Sequence, residues 1–208
     1  MPRADVTRDR YCATFFSSVN CDVGSTYFTA STHGGGVYTT VLSFDQRAFK
    51  TIEEHDSTLI ENWNSTVTTD DTVYLLGDIS WYSVNKTKEI MQQLPGKKVW
   101  ILGNHDHKLK NNQELRKEFE EITDYKEIKL PDGKYLVLCH YPIPCFKNHM
   151  RGSYHFYGHV HNSWEWEMME KMKKEMEGKN TLCNMYNVGC MMEYMNYTPR
   201  TFEEIVGE

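Results

Sequence analysis

The chain has 208 residues, 39% hydrophobic and 25% charged, which suits one globular domain able to bury about 70% of the surface its unfolded form exposes. A net charge of −6 argues against a nucleic-acid binder working through a broad basic face, but not against a small acidic-substrate pocket whose local sign bound metal ions reverse. The charged start MPRADVTRDRY lacks an apolar leader, no run nears the ~18 apolar residues of a membrane span, and the six cysteines contain no CxxC pair; a cytoplasmic protein with reduced thiols is expected.

Residues 1–25 carry no clear periodicity and read as an N-terminal extension, compatible with disorder; 26–208 read as a single domain. Tyr27 to Ser31 is a first strand, broken by Gly34-Gly35-Gly36. Thr51-Ile52-Glu53-Glu54 is a capping box opening a helix through Asn64, with Ile52, His55, Leu59, Ile60 and Trp63 near helical spacing. Thr72–Leu76 is a short apolar strand ending at Gly77, and a helix over Val84–Leu94 stops at Pro95-Gly96. Lys98–Leu102 is the next strand, and Gln113–Glu121 is predicted helical. Strands over 125–130 and 135–139 flank the Pro131-Asp132-Gly133 turn, and 154–157 and 185–188 complete the set. This alternation implies a layered α/β domain. Between the last two strands, Trp164–Glu177 reads as an amphipathic helix packing Met168, Met172 and Met176 on the body. A partner surface or substrate lid is the sharper alternative for that helix.

Five short motifs carry the chemistry: Thr32-His33, Gly77-Asp78, Gly103-Asn104-His105-Asp106, His140-Tyr141-Pro142 and Gly158-His159-Val160-His161. They follow predicted strands, and open α/β sheets place ligands at strand carboxyl ends. A carboxylate at Asp78 can bridge two divalent ions about 3.5–4 Å apart, the spacing of phosphoryl chemistry. Alone, Gly-Asp would be a turn or a helix cap. Asn104 offers a hard carbonyl oxygen. His105 beside Asp106 suggests an imidazole that a carboxylate keeps oriented and cationic, fit to protonate a leaving oxygen. If the chain stays extended past Gly158, His159 and His161 point to one side. A lone histidine at a strand end is usually structural; four beside an aspartate and an asparagine favour a metal site. His149 and Arg151 could reach a phosphate, with a solvated loop the equal alternative. His155 is most simply structural, and strand alternation turns Cys139 away from the site.

On these motifs, with DDTVYLLGDISW, LPGKKVWILGNHD, CHYPI, YGHVH and NVG…NYTPRTFEEI, the chain from about Tyr27 onward resembles the calcineurin-like metallophosphoesterase superfamily, in its small bacterial and phage-type members. The resemblance implies a four-layer α/β/β/α sandwich and two divalent metal ions, manganese foremost, with iron, zinc, nickel and magnesium as alternatives. One ion would be held by His33, Asp78 and His161, the other by Asp78, Asn104, His140 and His159. His105 would be the leaving-group acid, with Asp106 in support. The first motif departs from the family's Asp-x-His: Ser31 stands at the usual aspartate ligand position. That removes one negative charge from a site offsetting about four positive ones, so weaker occupancy of the first ion is expected. Gly34-Gly35-Gly36 and Cys190-Met191-Met192 are further departures, at positions where relatives carry a histidine and an acidic residue.

The expected function is hydrolysis of a phosphodiester or phosphomonoester through water activated by the ions, with the first metal site weakened by Ser31. The expected substrate is a small phosphoester, with nucleotide-derived diesters among the candidates. The alternative is a catalytically weakened phosphate- or nucleotide-binding relative. A nuclease acting on long nucleic acid is disfavoured by the acidic balance.

Overall fold

The computed structural model describes residues 26–29, 42, 47–179 and 182–207. The predicted extension and the Ser31–Gly36 segment, His33 included, lie outside the described residues.

The fold is mixed α/β, with two sheets and five described α-helices. The first sheet has the order β4-β3-β2-β1-β9, from β1 (Thr26–Thr29), β2 (Thr72–Leu76), β3 (Lys97–Ile101), β4 (Glu121–Thr123) and β9 (Arg200–Thr201). β1 to β4 run parallel and β9 pairs antiparallel with β1. The second sheet has the order β5-β6-β7-β8, from β5 (Tyr125–Lys129), β6 (Tyr135–Cys139), β7 (Tyr154–Tyr157) and β8 (Asn184–Asn187). Only β5 is antiparallel to its neighbour there.

Among the described residues, three apolar clusters carry the packing. One draws Phe28, Leu76 and Ile101 of the first sheet together with Leu136, Leu138 and Phe156 of the second. Phe28 and Phe156 meet edge to face at 5.0 Å. A second covers the other face of the first sheet, at Val73, Leu75 and Trp100, with Trp63 of α1 (Ile52–Thr66) and Met91 of α2 (Val84–Gln93). Leu115 of α3 (Gln113–Arg116) joins it. A third joins Val137, Tyr157 and Met185 of the second sheet to Trp166, Met172 and Met176 of α4 (Trp164–Glu177).

Local chemistry explains most element ends. Thr51 caps α1, its side chain accepting the Glu54 N–H at 3.1 Å. The reciprocal Glu54 carboxylate takes the N–H of Lys50 rather than that of the cap. Trp63 donates its indole N–H to Pro95 O at 2.9 Å, tying α1 to the turn after α2.

Three expectations need correction. Gln113–Glu121 is not one helix: α3 ends at Arg116, and residues 121–123 form β4. Helix-forming residues there lose to pairing, because the free edge of β3 takes Glu120 N–H on Lys98 O at 2.9 Å and gives Leu102 N–H to Thr123 O at 2.8 Å. The methionine stripe of α4 is also only partial. Met168 is 48% exposed; residues four apart advance 400° on a helix, so the stripe slides off the inward face. Finally, β9 and α5 (Phe202–Val206) extend the fold beyond the expected elements, α5 opening on a full Thr201–Glu204 capping box.

Candidate metal centre

The site forms where the carboxyl ends of β2, β3, β6 and β7 come together. After β2, Gly77 (φ 81°) and Asp78 (φ 54°) both adopt left-handed backbone. For Asp78 this is a strained state that the surroundings must hold. After β3, Gly103 packs directly on that turn. A Cβ added at Gly103 would lie 2.5 Å from Asp78 N, and one at Gly77 would lie 2.5 Å from His140 Nδ1 and 2.6 Å from Gly103 N. Glycine is required on both sides because two backbones approach there with no room for a methyl group.

Asp106 holds this junction. Fully buried, it accepts the N–H groups of Asp78 (2.9 Å), Ile79 (3.0 Å) and Gly103 (2.8 Å) and the Trp100 indole N–H (3.0 Å). Burial pushes its carboxyl above the usual range despite the backbone amides of Gly103 and Ile79, which pull it down. The expected carboxylate–imidazole support of His105 therefore runs through the backbone: Asp106 fixes the loop, and the His105 N–H in turn donates to Asp78 Oδ1 at 2.8 Å. The His105 ring is exposed and lies against Trp81, centroids 4.4 Å apart.

His140, fully buried at the end of β6, links the two sheets. Its Nδ1 faces Leu76 O at 2.8 Å. A carbonyl can only accept, so Nδ1 carries the proton and Nε2 turns toward the site. There Nε2 lies 3.3 Å from Asp78 Oδ2 and 3.0 Å from Asn104 Oδ1. The same Asn104 oxygen lies 3.0 Å from His159 Nδ1. Burial alone would lower the His140 pKa, but Asp78 outweighs it and holds the imidazole above its usual range. His159 moves down, by burial first and then by His140.

The stretch after β7 is not extended. The strand ends at Tyr157, and His159 (φ 65°) and His161 (φ 49°) both take left-handed backbone. The condition under which alternation would align them is not met, and two tight turns orient them instead. Asn187, at the end of β8 and buried, donates Nδ2–H to His161 O at 2.8 Å and accepts the Gly189 N–H at 3.0 Å. Its role escapes the sequence reading; the NVG that begins at this residue is the one visible signal.

Of the predicted site residues, Asp78, His140 and His159 come together as a group able to hold a metal ion, their ligand atoms all within 4.8 Å of one another. Asn104 joins them through its amide oxygen. Ser31 and His33 lie outside the described residues. His149 turns Nδ1 to Phe146 O at 3.0 Å, and Arg151 is exposed. His155 is structural: buried in β7, it donates Nδ1–H to Val137 O and accepts the Ile143 N–H, both at 3.0 Å, thereby bracing the loop that follows His140. Cys139 is buried, and so is Cys190, whose Sγ receives a long 3.8 Å contact from Arg47. No described helix is long and apolar enough to cross a membrane.

No family model matches the chain. It is 27% identical over 183 residues to the uncharacterized protein MJ1445 of Methanocaldococcus jannaschii, covering 86% of this chain and 88% of that one. It is 34% identical over 119 residues to the Gene 66 protein of Mycobacterium phage L5, covering 52% of this chain and 56% of the phage protein. Among solved structures, the protein of unknown function AQ665 from Aquifex aeolicus aligns over 88% of this chain and 97% of its own, with a TM-score of 0.61 and 25% identity. The Pseudomonas putida nuclease MPE aligns over 65% of this chain and 60% of its own, with a TM-score of 0.41 and 20% identity, too distant to carry an argument.

Proposed function

We propose that the chain is a metal-dependent phosphoesterase of the calcineurin-like type, a four-layer α/β/β/α sandwich hydrolysing a small phosphodiester or phosphomonoester in the cytoplasm. The observation that carries this reading is the convergence of lone pairs. With Nδ1 of His140 committed to Leu76 O, its Nε2 faces Asn104 Oδ1 at 3.0 Å and Asp78 Oδ2 at 3.3 Å, and His159 Nδ1 joins them through the same Asn104 oxygen. Acceptors pointed at one another repel unless a proton or a cation lies between them. A carboxylate, an amide oxygen and two imidazoles suit a first-row divalent ion, manganese foremost.

On this reading Asp78, Asn104, His140 and His159 hold one ion, and Asp78, His161 and His33 hold a second, weaker one, with Ser31 where a carboxylate would strengthen it. Bound ions would lower the pKa of water and offset charge on the phosphate. His105 protonates the departing oxygen, positioned by its own N–H on Asp78. Asp106 keeps both loops in register. Ser31 supports a second reading, a phosphate- or nucleotide-binding protein that retains one ion and little turnover.

The test is Mn²⁺-dependent hydrolysis of bis(p-nitrophenyl) phosphate by the unaltered chain and by His140→Gln, Asp78→Asn and Ser31→Asp. Turnover should require metal, fall at least 100-fold in the first two variants and rise in the third. If only Ser31→Asp turns over, the binding-protein reading is correct. Metal-independent turnover, or full activity in His140→Gln, would rule out the proposed centre.

A further inference from the structure

Two exposed aromatic rings border the proposed centre, and hydrolysis as described leaves them without a task. Trp81 is 41% exposed, lies three residues past Asp78 and packs against the His105 ring at 4.4 Å. Tyr141 is 44% exposed and meets the rings of His140 and His159 edge-on, at 5.1 and 4.7 Å. His140 and His159 share Asn104 Oδ1, and Asn104 immediately precedes His105. Trp81 and Tyr141 therefore lie on one continuous line of contacts that runs through the centre, each with a partly exposed ring.

An open aromatic face beside a phosphate site accepts a flat aromatic group by stacking, and any nucleobase offers one. Resting on the phosphoesterase reading, we propose that Trp81 and Tyr141 are substrate-binding residues that stack a nucleobase, making the substrate an ester of one or two nucleotides. Size is limited by charge. A long strand is gripped through its phosphates by a basic track, whereas this chain carries −6 overall. Stacking on two rings needs no such track. A purely structural role predicts otherwise: if Trp81 only steadied His105, and Tyr141 only the imidazoles, removing either would slow every ester alike.

The discriminating experiment uses two diesters with the same leaving group, thymidine 5′-(p-nitrophenyl phosphate) and methyl p-nitrophenyl phosphate, with Mn²⁺. The ratio of their kcat/KM values is taken within each protein, so a general loss of activity cancels. The unaltered chain should favour the thymidine ester by about tenfold or more, mainly through KM. Trp81→Ala and Tyr141→Ala should each bring the ratio several-fold closer to one. A ratio near one in the unaltered chain, or one unmoved by either variant, overturns the inference while leaving the phosphoesterase reading intact. Absence of turnover of either ester contradicts the phosphoesterase reading instead. Stacking is then decided by titrating tryptophan emission with thymidine 5′-monophosphate. Saturable quenching lost in Trp81→Phe supports it; no quenching, or equal quenching in both proteins, overturns it.

Discussion

The Asp106 carboxylate accepts the backbone N–H of Asp78 at 2.9 Å, and through that bond a residue with no ligand role fixes the aspartate at the heart of the centre. Three further N–H groups share the same carboxylate, one of them the Trp100 indole. Asp106→Asn retains one acceptor oxygen and turns an NH₂ group against buried donors. Each donor left unmet costs about 1–3 kcal/mol, so a loss of roughly 3 kcal/mol in urea unfolding is expected, with weaker Mn²⁺ binding. Unchanged stability would mean that the loop is held elsewhere.

The close approach of Gly77 and Gly103 makes a second prediction. In Gly103→Ala the new methyl carbon meets Asp78 N at 2.5 Å, and the Asp78 turn must move. Overpacking of this kind costs about 1–3 kcal/mol. Its larger effect should be a drop in Mn²⁺ affinity of at least tenfold, read by calorimetry. Wild-type affinity in this variant would show that the two turns have freedom the packing denies.

His155 gives acid sensitivity with a definite sign. Burial pushes its pKa down to about 4, with backbone bonds to Val137 and Tyr141 opposing. Above pH about 6.5 neither the folded nor the unfolded chain protonates it, so it adds no pH dependence there. Between about 6.5 and 4 only the unfolded chain takes the proton, and stability falls as pH falls. Between pH 7 and pH 5 this one group should account for a loss of about 2 kcal/mol. Comparing urea unfolding at both pH values, His155→Gln should lose about that much less than the unaltered chain. Equal losses would show that another group carries the acid sensitivity.

Much of this architecture was legible in the sequence because local and global signals agree. Thr51 with Glu54 marks the start of α1, and the apolar runs before Gly77 and Gly103 end where their chains turn into the site. Where the signals disagree, local reading fails. Residues 117–121 have helical composition, yet the vacant edge of β3 draws the following segment into β4. His159 and His161 are spaced as in a strand, but their backbone is left-handed, a choice set by neighbours such as Asn187 that lie 26 residues or more away in sequence. The task of Asp106 was equally hidden, since its partners at Asp78 and Ile79 lie 28 and 27 residues back along the chain. A residue pattern can nominate candidate ligands; it does not name what holds them in place.

The most direct test of the proposed centre is anomalous diffraction at the manganese edge from crystals grown with Mn²⁺. A strong peak is expected among Asp78 Oδ2, Asn104 Oδ1, His140 Nε2 and His159 Nδ1. A second, weaker peak is expected toward His161, and Ser31→Asp should strengthen it. No manganese at those four atoms, or a peak only at some other cluster, would contradict the assignment.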